Sequence, residues 1–236
     1  MRTIEICCSS VAEAKIAENC GAARVELCSA LSLEGLTPSI GVVARAVKEC
    51  TNIKINVLVR PREGNFVYNE DEVATMVEDI KAIKSAGANA VVIGALTKDG
   101  EIDETACKRM IEAAKPEMEI TFHRAFDMCG NPIKAIDTLI ELGVDRVLTS
   151  GQSSCATEGA ELLKKLVNHA SGKIVIMPGG GINDKNIEEL QSITGACEFH
   201  ASARKKPAGY KACLSTALAT SEMPSTDANQ VKALVG

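Results

Sequence analysis

Tryptophan is absent from this 236-residue chain, tyrosine occurs twice and phenylalanine four times, so aromatics make up only 3% of it. The core must therefore be built from Ala, Val, Leu and Ile, which suits parallel strands flanked by helices. Long apolar runs are missing as well, and none approaches the ~20 residues needed to span a bilayer. Positive charge is not in excess: a net charge of -5 argues against nucleic acid or an anionic membrane as the main partner. Cysteine is plentiful, with ten residues, yet Cys-x-x-Cys and zinc-type Cys/His spacings are both lacking. Scattered singly apart from Cys7 and Cys8, these cysteines read as reduced thiols of a cytoplasmic protein, most of them buried as small hydrophobes. The N-terminus enters strand-like sequence at once, so no signal peptide is expected.

What the chain does have is alternation. Its 46% hydrophobic and 24% charged residues fall into apolar runs followed by amphipathic stretches. Strands are predicted at 3–7, 24–28, 53–59, 90–95, 119–123, 144–149, 173–177 and 197–201. Helices are predicted near 11–19, 39–49, 70–85, 103–114, 132–142, 157–169 and 184–193. Ser9 or Ser10, Asn131 with Pro132, and Asn183 supply helix starts. Strand and helix alternating over the whole length predict parallel strands joined by crossover helices. A weak repeat refines this. A helix-ending Gly, a small apolar residue and then a strand recur at Gly21, Gly87, Gly143 and Gly195, ahead of strands two, four, six and eight only. That double βα period predicts a ring of eight parallel strands, a single (β/α)8 TIM-type barrel of the α/β class. The barrel domain takes residues 1–204. Residues 205–236 belong to the same domain as a loop-rich segment, with a short final helix at 227–235 capped by Thr226 or Asp227.

Read as a strand, residues 24–28 place Arg24, Glu26 and Cys28 on one face and Val25 and Leu27 on the other. Thr3, Glu5 and Cys7 repeat the arrangement in the first strand. Such one-sided polarity has a use in a closed barrel, whose strands point alternate residues into a shared interior. Chemistry in that fold sits at the carboxyl ends of the strands. There Glu5, Glu26, Arg60, His123, Asp127 and His200 suit acid–base catalysis on an unknown substrate, if the environment splits their pKa values. Arg60, Arg62 and Arg124 suit clamping a carboxylate or phosphate. Gly179, Gly180 and Gly181, ahead of the helix expected near Asn183, suit a small anionic metabolite, together with Ser202. Blander readings stand beside each of these. Glu5 with Arg24 or Arg146 reads equally as a buried ion pair, the glycine run as a tight turn, a lone strand-end His as structural, and His169 as surface. Cys7 and Cys28 end adjacent strands ~4.8 Å apart and both point inward. Their sulfurs either share one soft ion such as Cu(I) or are two unconnected core residues.

Several stretches carry a further signal. Arg24-Val25-Glu26-Leu27-Cys28, Gly35-Leu36-Thr37-Pro38-Ser39, Val59-Arg60-Pro61-Arg62, residues 121–128 around His123, residues 145–152, Met177-Pro178-Gly179-Gly180-Gly181 and residues 199–204 follow one another in order. Together they resemble the CutC copper homeostasis family from about Ile4 to Arg204. The resemblance implies a cytoplasmic single-domain βα barrel that self-associates as a dimer or tetramer. It also implies copper handling, with Cu(I) on two cysteines that match Cys7 and Cys28. The chain departs from the family pattern at Ser9, where an Asp is usual, at Glu34-Gly35 for Gly-Gly, and at Glu63-Gly64-Asn65 for Gly-Gly-Asp. Two carboxylates are thereby lost from the rim loops, while the thiols and His123 are kept.

Overall fold

The computed structural model describes residues 2–205 and 224–236. Its strands are β1 (Thr3–Cys8), β2 (Arg24–Leu27), β3 (Lys54–Leu58), β4 (Ala90–Ile93), β5 (Glu119–Phe122), β6 (Arg146–Thr149), β7 (Val175–Pro178) and β8 (Glu198–Ala201). Between and after them run α1 (Val11–Asn19), α2 (Ile40–Glu49), α3 (Glu70–Ser85), α4 (Glu104–Ala114), α5 (Pro132–Glu141), α6 (Ala160–Ala170), α7 (Ile187–Thr194) and α8 (Ala228–Val235). The strands pair in parallel in the order β7-β6-β5-β4-β3-β2-β1-β8. The two edge strands lie together: a Cβ built at Gly179, just past β7, would stand 3.3 Å from the Cβ of His200 on β8. The sheet thus curls into the (β/α)8 barrel that the double repeat predicted.

Local chemistry sets the element ends. Ser10 accepts from the Glu13 N–H at the start of α1, and Asn69 and Glu72 form a reciprocal capping box on α3. Asn131 accepts from the Lys134 N–H just before Pro132, where the missing proline donor does no harm. The four repeat glycines have φ of +84° (Gly21), +87° (Gly87), +75° (Gly143) and +72° (Gly195), left-handed values that a Cβ penalises. Two expectations need correction. No helix begins near Asn183, because its side chain accepts from the Lys185 N–H while its own N–H goes to the Asn186 side chain. That closes a turn, and α7 starts only at Ile187. Nor is the loop-rich segment irregular at its start. Strand β9 (Arg204–Lys205) pairs antiparallel with β10 (Ser225–Thr226), and buried Glu13 of α1 accepts from Arg204 and from the Thr226 N–H. Of the loop expected at 204–224, residues 206–223 lie outside the described residues.

Apolar packing lies outside the ring of strands. Ile6, Val25, Ile55, Val91, Ile120 and Phe199 point outward against Val43, Met76, Met110, Leu139, Leu166 and Leu190 of the helices in one continuous layer. Each fully buried residue of this kind contributes about 1.5–3 kcal/mol by leaving water. Inside the ring, among the described residues, Cys7, Cys28, Leu58 and Val92 form a separate buried apolar cluster. The loop after β6 is packed without slack: a Cβ at Gly159 would fall 1.9 Å from the Ser150 carbonyl oxygen, a backbone atom that cannot swing away. Gly159→Ala should therefore cost roughly 1–3 kcal/mol through overpacking. A lower urea midpoint with an unchanged slope would show it, and a loss below about 0.5 kcal/mol would refute the tight fit.

Candidate ligand site at the barrel rim

The floor of the barrel interior is ionic. Glu5 is wholly buried and accepts from Arg24 Nε at 2.8 Å and Asn56 Nδ2 at 2.9 Å, with His200 Nδ1 at 2.8 Å on its other oxygen. Arg24 also pairs with Glu198, which Arg146 Nε reaches at 2.6 Å. Burial by itself would raise the Glu5 pKa. The hydrogen bond and charge of His200, followed by Arg24 and Arg146, outweigh it and hold the carboxyl at about 2. The buried pairing of Glu5 with Arg24, weighed above against catalysis, is present.

Above this floor, Cys7 Sγ stands 3.6 Å from Cys28 Sγ. Parallel pairing sets Cys7 opposite Glu26, and Glu5 opposite His200, which gathers four inward side chains from three neighbouring strands. His200 Nε2 lies 3.8 Å from Glu26 Oε2, and one ligand atom each of Cys7, Glu26 and His200 fall within 4.8 Å of one another. The hydrogen bond with Cys28, and then burial, hold the Cys7 thiol well above its ordinary pKa. Burial, aided by the Glu5 charge, raises Glu26. Burial opposes charge on His200, but Glu26, Cys7 and Glu5 prevail and keep its pKa well above the usual range. Without a metal, an imidazolium therefore sits between two acids beside a neutral thiol.

These groups open onto a cavity of about 400 Å³, lined also by Leu31, Glu34, Gly35, Leu58, Arg60, Phe66, His123, Arg124, Asp127, Met128 and Leu148. Arg60 at the end of β3 is 3% exposed. Its Nη1 donates to the carbonyls of Leu33 at 2.9 Å and Gly35 at 3.0 Å, and its Nη2 to that of Gly64 at 3.0 Å. His123 follows β5, and its imidazole fits because the residue after β4 is Gly94, where a Cβ would fall 2.4 Å from the ring. Its Nδ1 accepts from the Ala125 N–H at 3.1 Å, which places the proton of the neutral ring on Nε2. Burial, with the Arg60 charge behind it, depresses its pKa to about 3. Arg124 donates through Nε to Asp127 at 2.7 Å and through Nη2 to Ser150 Oγ at 2.9 Å. Asp127 also accepts from Thr149 Oγ1 at 2.5 Å, the Ser150 N–H at 3.1 Å and the Gln152 N–H at 3.2 Å, fastening the loop after β6 to the loop after β5.

Other sequence candidates fall elsewhere. Arg62 turns outward to Glu72 at the start of α3, with Nε at 2.5 Å. Gly179, Gly180, Gly181 and Ser202 are not among the cavity's lining residues, and Ser202 is exposed. The Gly179 N–H is already given to the Thr149 carbonyl, and the described helix that follows the glycine run, α7, starts only at Ile187. His169, expected at the surface, pairs with Asp137 at 2.7 Å. Sequence reasoning missed Phe66, whose ring centroid lies 4.9 Å from that of His123 and 5.1 Å from the Arg60 guanidinium carbon. It also missed Asn56 on Glu5, although a polar residue at an inward position of β3 carried the same signal as Glu5 and Glu26.

The fold and site define a parallel (β/α)8-barrel protein with a thiol- and imidazole-bearing cavity at its carboxyl rim. The chain belongs to the CutC family, whose sequence model matches residues 2–205. It is 45% identical over 239 residues to a mouse protein named copper homeostasis protein cutC homolog, covering 98% of this chain and 87% of that one. The human protein of the same name is 48% identical over 201 residues, 85% of this chain and 73% of its own. Among solved structures, the CutC protein of Streptococcus agalactiae superposes with a TM-score of 0.81 at 34% identity, covering 85% of this chain and 98% of that chain.

Proposed function

We propose that this CutC-family barrel carries one Cu(I) ion between Cys7 and Cys28, as cargo in cytoplasmic copper homeostasis, and that it works as a homo-oligomer. The observation that supports this most is the approach of two inward-facing sulfurs to 3.6 Å at the floor of a cavity open to the rim. Thiolates are soft ligands suited to Cu(I), and imidazole suits copper as well. At a metal–sulfur distance of ~2.3 Å, sulfurs this close enclose an angle of roughly 100° at the ion, far from linear. A bent pair leaves one side open, and His200 and Glu26 are the donors within reach of Cys7. The expected complex is three-coordinate, with two sulfurs and one nitrogen or oxygen. Titration of the reduced protein with Cu(I) against a chromophoric chelator should show one ion per chain. X-ray absorption should then show two sulfur scatterers and one lighter atom. An absence of binding would overturn the reading, and a linear two-sulfur site would remove His200 and Glu26 from it.

A further inference from the structure

One wall of the cavity is built for something other than a metal. Arg60 is a buried guanidinium whose partners among the described residues are three backbone carbonyls and no carboxylate. Its Nε, and the Nε2 of His123, are buried and have no hydrogen-bond partner among the described residues. A buried donor left unpaired costs about 1–3 kcal/mol, and an uncompensated buried charge costs more. Phe66 lies against both groups, with its ring 4.9 Å from the imidazole and 5.1 Å from the guanidinium. Arg60, His123 and Phe66 all line the cavity.

We propose that the Arg60–His123 wall binds the carboxylate of a small organic monoanion, which takes one hydrogen bond from Arg60 Nε and one from His123 Nε2 when the Phe66 ring tilts aside. Charge selects the class. The wall offers one unpaired positive charge and two donors, which match a carboxylate with one negative charge and two acceptor oxygens. A phosphate dianion would leave a charge unmatched, since the cavity's other cationic groups among the described residues are already paired, Arg124 with Asp127 and His200 with Glu5 and Glu26. Leu31, Leu58 and Leu148 give the rest of the molecule an apolar bed, and 400 Å³ lies within the range of small-molecule sites. The site is inferred from this wall alone and goes beyond the copper reading without resting on it.

The test uses full-length, metal-free, reduced protein and four probes: acetate, pyruvate, benzoate and 3-phenylpropionate. Benzamide serves as the uncharged control, and inorganic phosphate, held well above its second pKa, as the dianionic one. At millimolar concentrations at least one carboxylate should raise Tm saturably, as a ligand of the native state must, while benzamide and phosphate do not. His123→Phe, which keeps the ring volume and removes the donor, should weaken that probe at least tenfold. Phe66→Leu, which removes the ring packed against both groups, should leave binding intact or tighten it. Saturable binding retained in Cys28→Ser would separate the carboxylate site from the copper site. The proposal is overturned by silence from all four carboxylates, by benzamide or phosphate matching them, or by undiminished binding in folded His123→Phe.

Discussion

Cys28→Ser should lower the affinity for Cu(I) by at least about 100-fold while the barrel stays folded. The loss should exceed the 10–100-fold typical of groups that merely orient metal ligands, because one of only two soft donors is gone. Serine nearly keeps the volume of the buried thiol, so near-wild-type unfolding would show that binding and not folding was lost. Cys7→Ser should behave alike, whereas Cys197→Ser, at an exposed position, should bind copper as the native protein does. The pH dependence has a definite sign. The Cys7 thiol is held well above its ordinary pKa, so copper must displace its proton. Affinity should therefore rise with pH, by about tenfold per pH unit for each proton released, throughout the neutral range. A flat profile would mean that Cys7 is no ligand. Equal affinity in Cys28→Ser would leave the cavity without its proposed cargo.

The parts of this site that were legible in the sequence are those governed by strand alternation. Glu5, Cys7, Glu26 and Cys28 share a face because side chains alternate along a strand, and parallel pairing in register then sets Cys7 opposite Glu26. The barrel itself was legible in the glycine-led double repeat, since each of the four glycines occupies the left-handed cap that the pattern requires. What sequence could not convey depends on distances across the ring or on loop paths. The inward polarity of β8 was visible, but whether His200 bridges Glu5 and Glu26 depends on closure of the first strand onto the last. Arg60 and Arg62 are two residues apart in an otherwise similar setting, yet one is tied to three carbonyls inside and the other reaches Glu72 outside. The glycine run after β7 resembles an anion cradle in sequence. The Asx turn at Asn183 displaces the helix that would complete it. Phe66 belongs to a loop with no period to read, so its place between Arg60 and His123 appears only in three dimensions.

The ionic floor should dominate stability, and Glu5→Ala should cost about 3–5 kcal/mol. Removing one partner of a buried charge cluster leaves the others short of compensation. Here Arg24, Asn56 and His200 each lose a hydrogen bond to Glu5, and among the described residues Arg24 and His200 keep only Glu198 and Glu26 as acidic partners. Glu5→Gln isolates the charge from the volume. In the native fold the Glu5 pKa is lowered from 4.5 to about 2, so the carboxylate adds stability that is fully present above pH 4.5. At about 1.4 kcal/mol for each tenfold change in proton affinity, that is roughly 3 kcal/mol. It should drain away as pH falls from about 4.5 towards 2, because the unfolded chain takes up the proton first. His200 acts in the opposite sense: its raised pKa adds stability below about 6.5, which is lost as pH climbs through its folded value. Urea unfolding of native protein and Glu5→Gln across the acid range should therefore give curves about 3 kcal/mol apart near pH 6 that converge towards pH 2. Curves that stay parallel would mean that the floor is held by shape and not by the Glu5 charge. The polarity on the inner faces of β1 and β2 would then have to be explained by the cavity above it alone.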